Sequence, residues 1–200
     1  VDANGENCIA VAPGSNAQLT PGLLQSFFQS LHAPAFMLAQ LEIPISTVEF
    51  IIEQCAQKSI PAIVNPAPAN KISDALWKHV FAITPNESEA ELLTGIPILN
   101  NASARKAAQA FHDKGIQHVI ITLGKRGAYW SNQKEDGFLS APSVTATDST
   151  AAGDCFNGAL IVALAEGKSL KDAASFACQA AAISVTRMGA QASMPFRKEL

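Results

Sequence analysis

Short apolar runs alternate with segments of helical periodicity along most of the chain. His118–Thr122 is a strongly apolar run of strand length, whereas apolar residues between Ile45 and Lys58 recur at helical spacing. Apolar strands that alternate with amphipathic helices are typical of a mostly parallel sheet with helices on both faces. The pattern therefore predicts a three-layer αβα fold, a single α/β domain over residues 1–200.

The boundaries of the predicted elements follow from this periodicity and from the Gly- and Pro-containing breaks between segments. The predicted strands are Asn7–Val11, Ala35–Ala39, Ala62–Asn65, Val80–Thr84 and His118–Thr122, with a hairpin or edge strand at Gly127–Trp130. The predicted helices are Pro21–Ser30, Ile45–Lys58, Ser73–Lys78, Glu87–Thr94, Ser103–Lys114, Gly153–Glu166 and Leu170–Thr186. The last two helices are apolar almost all round, so we expect them to be largely buried.

Polar residues follow the predicted strands where each strand ends. They are Gln40 to Glu42, Asn65, Thr84 to Glu87 and Thr122 to Lys125. In open α/β sheets, ligands bind beyond the carboxyl ends of the strands. The functional site is therefore predicted at this edge of the sheet.

Composition narrows the class of protein. A formal net charge of -3 gives no support to nucleic-acid binding or to binding at an anionic membrane, and no apolar run is long enough to span a bilayer. The four cysteines are widely spaced, which argues against a zinc site and favours a reducing, cytoplasmic location. The chain starts without methionine in a polar stretch that is no signal peptide, so we expect a piece of a longer protein.

The stretch from Asp148 to Leu160 has the features of a phosphate site with a base beside it. Small residues run directly into a helix, so unpaired backbone N–H groups at the helix start can bind an anion. Asp154 lies in the first turn, where its carboxylate could accept a proton from an attacking hydroxyl during phosphoryl transfer. The alternative is that Asp154 only favours the start of the helix, where acidic residues are common.

Asp148–Gly158 resembles the D-T-x-A-x-G-D-x-F-x-G signature of the ribokinase-like carbohydrate kinases, also called the PfkB family, with Ser149 where that family usually has threonine. Four further segments resemble the family in order and spacing, namely residues 64–69, 84–91, 122–127 and 185–193. The resemblance extends over essentially the whole chain.

The resemblance implies that Asp154 is the catalytic base and that the amides of Ala152, Gly153 and Asp154 form an anion hole. It also implies that Asn86 and Glu89 order Mg²⁺, largely through water, around the phosphates of ATP. Oxygen ligands and retained waters suit Mg²⁺. The same two residues could instead cap and charge the helix that follows, and both roles can hold together.

Three further groups of residues take roles from the resemblance. The ATP site is implied to include Thr122, Leu123, Gly124, Lys125, Arg126 and Gly127, together with Asn86, Gly153 and Cys178. A K⁺ site beside the anion hole is implied at Asp148, Thr150, Ser184, Arg187, Gly189 and Ser193, and Glu42 matches an acid that contacts the sugar. Each assignment has a simpler alternative. Residues 122–127 could form an ordinary turn, and Cys178 could be a small apolar residue of the core. Asp148 and Ser193 could be polar loop residues without a bound cation, and Glu42 could be a surface acid.

The expected activity is ATP-dependent phosphorylation of a sugar hydroxyl, with D-ribose 5-phosphate as the expected product. Two alternatives remain: a kinase of the same fold for another sugar, a nucleoside or a hydroxymethylpyrimidine, and a nucleotide-binding fragment without turnover. The family's first sugar-binding Asp, its N-terminal strands and most of its lid have no counterpart in this chain. Residues 1–11 are expected to be a remnant of that lid, through which the complete protein would form a homodimer.

Overall fold

The computed structural model describes residues 12–31 and 36–200. The strand predicted at Asn7–Val11 and the predicted lid remnant at residues 1–11 lie outside the described residues, as does Ala35. Among the described residues, no helix is both long and apolar enough to cross a membrane.

Six strands form one sheet in the order of the sequence. They are β1 (Met37–Gln40), β2 (Ala62–Asn65), β3 (Val80–Ile83), β4 (His118–Thr122), β5 (Ala128–Ser131) and β6 (Asp136–Leu139). Strands β1 to β4 pair in parallel, and β5 and β6 continue the sheet as antiparallel neighbours. The mostly parallel sheet predicted from the sequence is confirmed.

The α-helices agree closely with the predicted positions. They are α1 (Pro21–Ser30), α2 (Ile45–Gln57), α3 (Glu87–Thr94), α4 (Asn101–Asp113), α5 (Ala152–Ala165) and α6 (Leu170–Ser184). The helix predicted at Ser73–Lys78 is instead a 3₁₀-helix at Asp74–His79. Six residues directly before β3 are too few to stabilise α-helical turns, and the tighter 3₁₀ form is common in short connectors.

Helices cover both faces of the sheet, and β4 shows how the sequence produces this arrangement. Val119 and Ile121 pack into the core that contains residues of α2 and α4. Ile120, between them, packs into the second core with residues of α5 and α6. Because successive side chains of a strand point to opposite faces, a strand buried on both sides must be apolar throughout.

The segment predicted as a hairpin or edge strand, Gly127–Trp130, corresponds to β5, which is the middle strand of an antiparallel unit formed by β4, β5 and β6. Strand β5 pairs with β4 on one side and with β6 on the other, so β6 forms the edge of the sheet. Its sequence Asp136-Gly137-Phe138-Leu139 is too short and too weakly alternating to predict a strand.

Candidate active site

The amino terminus of α5 presents backbone donors together with a carboxylate. Ala151 adopts the left-handed conformation with φ of 59° before the helix begins at Ala152. The amide of Ala152 donates to the carbonyl of Ser149 at 3.2 Å. Among the described residues no acceptor lies on the amides of Gly153 and Asp154, so these two N–H groups remain available to an anion.

The carboxylate of Asp154 is exposed and accepts a hydrogen bond from strand β1. Gln40 Nε2 donates to Asp154 Oδ1 at 2.6 Å and also lies 3.3 Å from Asn65 Oδ1. The sequence identified Gln40 and Asn65 only as polar residues at strand ends and gave neither a role. The carboxyl ends of β1 and β2 and the first turn of α5 therefore meet at Asp154.

A cavity of about 620 Å³ lies beside this helix terminus. Seven of the residues predicted for ATP or the anion hole line it: Thr122, Gly124, Lys125, Gly127, Ala152, Gly153 and Cys178. The loop after β6 supplies further wall residues, including Pro142 and Val144, which the sequence analysis missed. No glycine pattern or charge in that loop distinguishes it from an ordinary connection.

The turn between β4 and β5 brings its backbone to the cavity. Leu123 N donates to Gly127 O at 2.8 Å, and Leu123 itself is buried rather than part of the cavity wall. Arg126 forms an ion pair with Glu87 at the start of α3, so its guanidinium is held away from the cavity lining. Lys125 is the charged residue of this turn that lines the cavity.

Asn86 and Glu89 form a reciprocal cap at the start of α3. The amide of Glu89 donates to Asn86 Oδ1 and the amide of Asn86 donates to Glu89 Oε2, both at 2.8 Å. Burial raises the pKa of Glu89, and the hydrogen bond from the Asn86 amide opposes that effect. The turn before the helix is fixed to β4, because Thr122 N donates to Pro85 O at 2.9 Å.

Five of the six residues predicted for the K⁺ site lie in two loops that the side chain of Asp148 joins, and the sixth, Ser184, is the last residue of α6. Its carboxylate accepts from the amide of Thr150 in its own loop and from the amide of Gly189 in the other, both at 2.9 Å. Hydrogen bonds from Thr150, and then from the Gly189 amide, hold the pKa of Asp148 below its usual value.

The remaining members of that predicted site make local contacts. Ser184 Oγ donates to Ala181 O at 2.9 Å, and Ser193 Oγ donates to Ala190 O at 2.7 Å. Arg187 forms an ion pair with Glu199. Within residues 12–31 and 36–200, no group of three or more His, Cys, Asp and Glu side chains converges on a metal position. The ligands that these segments can offer are oxygen atoms of backbone carbonyls and hydroxyl groups, together with the carboxylate of Asp148.

Comparison with known proteins shows which family this chain belongs to. The sequence profile described as pfkB family carbohydrate kinase matches residues 1–197. The chain belongs to the pfkB family. The ribokinase of Haemophilus influenzae is 43% identical over 199 residues, which cover 100% of this chain and 65% of that protein.

Solved structures of pfkB kinases share the fold. The ribokinase of Thermotoga maritima is similar with a TM-score of 0.86 and 40% identity, over 100% of this chain and 65% of that one. The Arabidopsis thaliana ribokinase complexed with ribose and ATP is similar with a TM-score of 0.90 and 30% identity, over 98% of this chain and 64% of that one. This chain thus spans about two thirds of the length of its pfkB relatives.

Two residues predicted from the pfkB resemblance have distinct environments. Glu42 is exposed, two positions beyond Gln40 in the bend that follows β1. Cys178 is buried in α6 and forms part of the cavity wall, and burial raises the pKa of its thiol to about 11. The thiol is therefore a neutral, weakly polar part of that wall at physiological pH.

Proposed function

We propose that the protein containing this chain transfers the γ-phosphoryl group of ATP to a hydroxyl of a small sugar, with D-ribose as substrate and D-ribose 5-phosphate as product. The observation that carries the proposal is the exposed Asp154 carboxylate beside the open amides of Gly153 and Asp154, next to a cavity of about 620 Å³. A positioned base and an adjacent anion site are the two elements that phosphoryl transfer to a hydroxyl needs.

Asp154 acts as the general base, and the start of α5 acts as the anion hole. The carboxylate accepts the hydroxyl proton while the amides of Gly153 and Asp154 donate to the oxygens of the transferring group. The amide of Ala152 already donates to Ser149, so its share in the anion hole requires that this 3.2 Å bond be shared or exchanged.

The cavity suits a nucleotide in both shape and lining. Lys125 lies at its wall together with the backbone of Gly124 and Gly127, where a cation and close backbone approach favour phosphates. Val144, Phe156 and Cys178 supply apolar surface for a base.

The residues present also fit the two cations of the proposed reaction. Asn86 and Glu89 engage each other's backbone through Asn86 Oδ1 and Glu89 Oε2. No group among the described residues donates to Glu89 Oε1, so this oxygen could accept from a metal-bound water and Mg²⁺ would be held through its hydration shell. The loops joined by Asp148, with Thr150, Ser184, Arg187, Gly189 and Ser193, would offer carbonyl and hydroxyl oxygens to K⁺. When bound, these cations would neutralise phosphate charge and order the anion hole.

Glu42 would contact the sugar at the end of β1, where it follows the strand that contributes Gln40. The small-molecule sugar is the proposed partner, and the complete protein is proposed to be a homodimer through its lid. The substrate assignment is supported by the ribokinases that match the whole length of this chain.

An assay of the full-length protein with a panel of acceptors tests the proposal. ADP release with ATP and Mg²⁺ is measured with D-ribose, 2-deoxy-D-ribose, adenosine and a hydroxymethylpyrimidine, and the product is identified by mass spectrometry. We expect kcat/KM to be highest with D-ribose, with a mono-phosphorylated pentose as product. ATP binding without acceptor-dependent ADP release for any of the four would refute the proposed reaction.

A further inference from the structure

The carboxylate of Asp154 belongs to a ring of hydrogen bonds that joins α5 to three strands. Gln40 bridges Asp154 Oδ1 and Asn65 Oδ1, and Asn65 Nδ2 donates to Thr84 O at 2.9 Å. Thr84 Oγ1 then donates to Asn157 Oδ1 at 2.6 Å. Asn157 Nδ2 closes the ring by donating to the carbonyl of Gly153 at 2.9 Å, one residue before Asp154.

The inner members of this ring are buried and their hydrogen bonds are satisfied. Thr84 is 1% exposed, Asn157 4% and Asn65 7%. Buried polar side chains are costly unless paired, and a fully paired network holds its members in one arrangement. The ring therefore fixes the first turn of α5 against the carboxyl ends of β1, β2 and β3.

Gln40 is the member that reaches the reacting carboxylate. An ionised carboxylate only accepts hydrogen bonds, so the side chain of Gln40 must present its NH₂ group to Oδ1. A donor at 2.6 Å from a charged acceptor is a strong, orienting contact. Gln40 engages Oδ1, and no group among the described residues donates to Oδ2, so Oδ2 is the oxygen that we assign to receive the proton.

We propose that Gln40 is a positioning residue that holds the Asp154 carboxylate in its reactive orientation, with Oδ2 directed to the substrate hydroxyl. The inference rests on the proposed function of Asp154 as general base. Gln40 acts through Asp154, while Asn65, Thr84 and Asn157 hold Gln40 and the helix start in register. A base misplaced by a fraction of an ångström loses much of its effect on rate.

Two substitutions in the full-length protein test the role of Gln40. Gln40→Met keeps the length of the side chain and removes the donor, so kcat should fall about tenfold while the KM for ATP stays within about twofold. The KM for D-ribose should likewise change little, because Gln40 acts on the base and not on binding. Gln40→Glu replaces the donor by a second carboxylate that repels Asp154 and displaces it, so kcat should fall further than in Gln40→Met while the KM for ATP again stays within about twofold.

Gln109→Met is the matched control. Gln109 Nε2 likewise donates to a carboxylate, Asp113 Oδ1 at 2.8 Å, on the surface of α4. This variant should keep the wild-type kcat and the wild-type KM for ATP. If Gln40→Met is too unstable to assay, a fall in kcat at an unchanged KM for ATP in Gln40→Glu tests the inference by itself.

Wild-type kcat in both Gln40 variants would overturn the inference, as would a rise in kcat for Gln40→Met. Two separate experiments test the proposed function, namely sugar phosphorylation by the wild type and its loss in Asp154→Asn. If these two experiments give negative results, the reaction is misassigned. If they give the expected results while the Gln40 variants behave as wild type, only the positioning role of Gln40 is wrong.

Discussion

Gly127 has a backbone conformation that other residues adopt only at high cost. Its φ is 101°, and a Cβ added there would lie 1.9 Å from the carbonyl oxygen of Leu139 in β6. The glycine is therefore required both by the turn and by the close approach of the hairpin, next to the cavity that we assign to ATP. Gly127 lies in the turn that the sequence predicts for the nucleotide, but Leu139 could not be predicted as its neighbour because strand β6 was not predicted.

The substitution Gly127→Ala should destabilise the protein by at least about 2 kcal/mol, because backbone strain and a clash with backbone add together. Gly158→Ala is the control, since Gly158 lies inside α5 and, apart from the adjacent backbone of that helix, no atom of the described residues lies within 4 Å of the added Cβ. That control should be neutral or stabilising by up to about 1 kcal/mol. Urea unfolding of both variants gives the comparison, and equal stability of the two would contradict the close approach seen at Gly127.

At the scale of helices and loops, α3 and α4 begin with the same device. Asn86 and Glu89 form a capping box on α3, and Asn100 and Ser103 form one on α4. Only the capping box of Asn86 and Glu89 lies where Mg²⁺ is proposed. Variants of the two boxes therefore distinguish the effect of a lost helix cap from the effect of a lost Mg²⁺ contact.

Replacing either Asn86 or Asn100 by Ala should cost about 1 kcal/mol of stability, the usual value of a lost helix cap. Asn86→Ala alone should also raise the Mg²⁺ concentration needed for half-maximal activity. Thermal unfolding and a Mg²⁺ titration of initial rates measure the two effects. An unchanged Mg²⁺ requirement in Asn86→Ala would leave Asn86 with capping as its whole role.

The two loops joined by Asp148 lead to a prediction about monovalent cations. If their oxygens bind K⁺ beside the anion hole, activity at constant Mg²⁺ should rise with K⁺ and much less with Na⁺, because the carbonyl geometry selects for ion size. Initial rates in potassium and sodium chloride at equal ionic strength test this. Rates that are the same in both salts would remove the proposed site at Asp148 and Ser193.

Element positions followed from the sequence where a segment carried a clear helical period or an unbroken apolar run. The predicted α1 and α3 have the observed boundaries, with Pro21 at the start of α1 and Gly95 directly after α3. Strands β2 and β4 also match their predicted ranges, because each is largely an apolar run. The segment before β3 was predicted as an α-helix and is a 3₁₀-helix, and strand β6 was not predicted, since neither short segment shows a clear period.

Across the whole molecule, the parallel strands bring their carboxyl ends to one edge of the sheet, and this topology assembles the site. Residues far apart in the sequence meet there, as Gln40 and Asp154 do across 114 positions. The sequence predicted that the site lies at this edge of the sheet, and it predicted the motif that contains Asp154. It could not predict the ring through Asn65, Thr84 and Asn157, because hydrogen-bond partners between strands depend on register.

In the proposed reaction, Asp154 removes the proton of the acceptor hydroxyl beside a backbone anion hole. The most direct test is single-turnover formation of D-ribose 5-phosphate by the wild-type protein and by Asp154→Asn, with ATP affinity measured in parallel. We predict that the variant loses at least about 10²-fold in the rate of phosphoryl transfer, while its ATP affinity changes little because the anion hole consists of backbone amides. Phosphoryl transfer by Asp154→Asn at close to the wild-type rate would contradict the account.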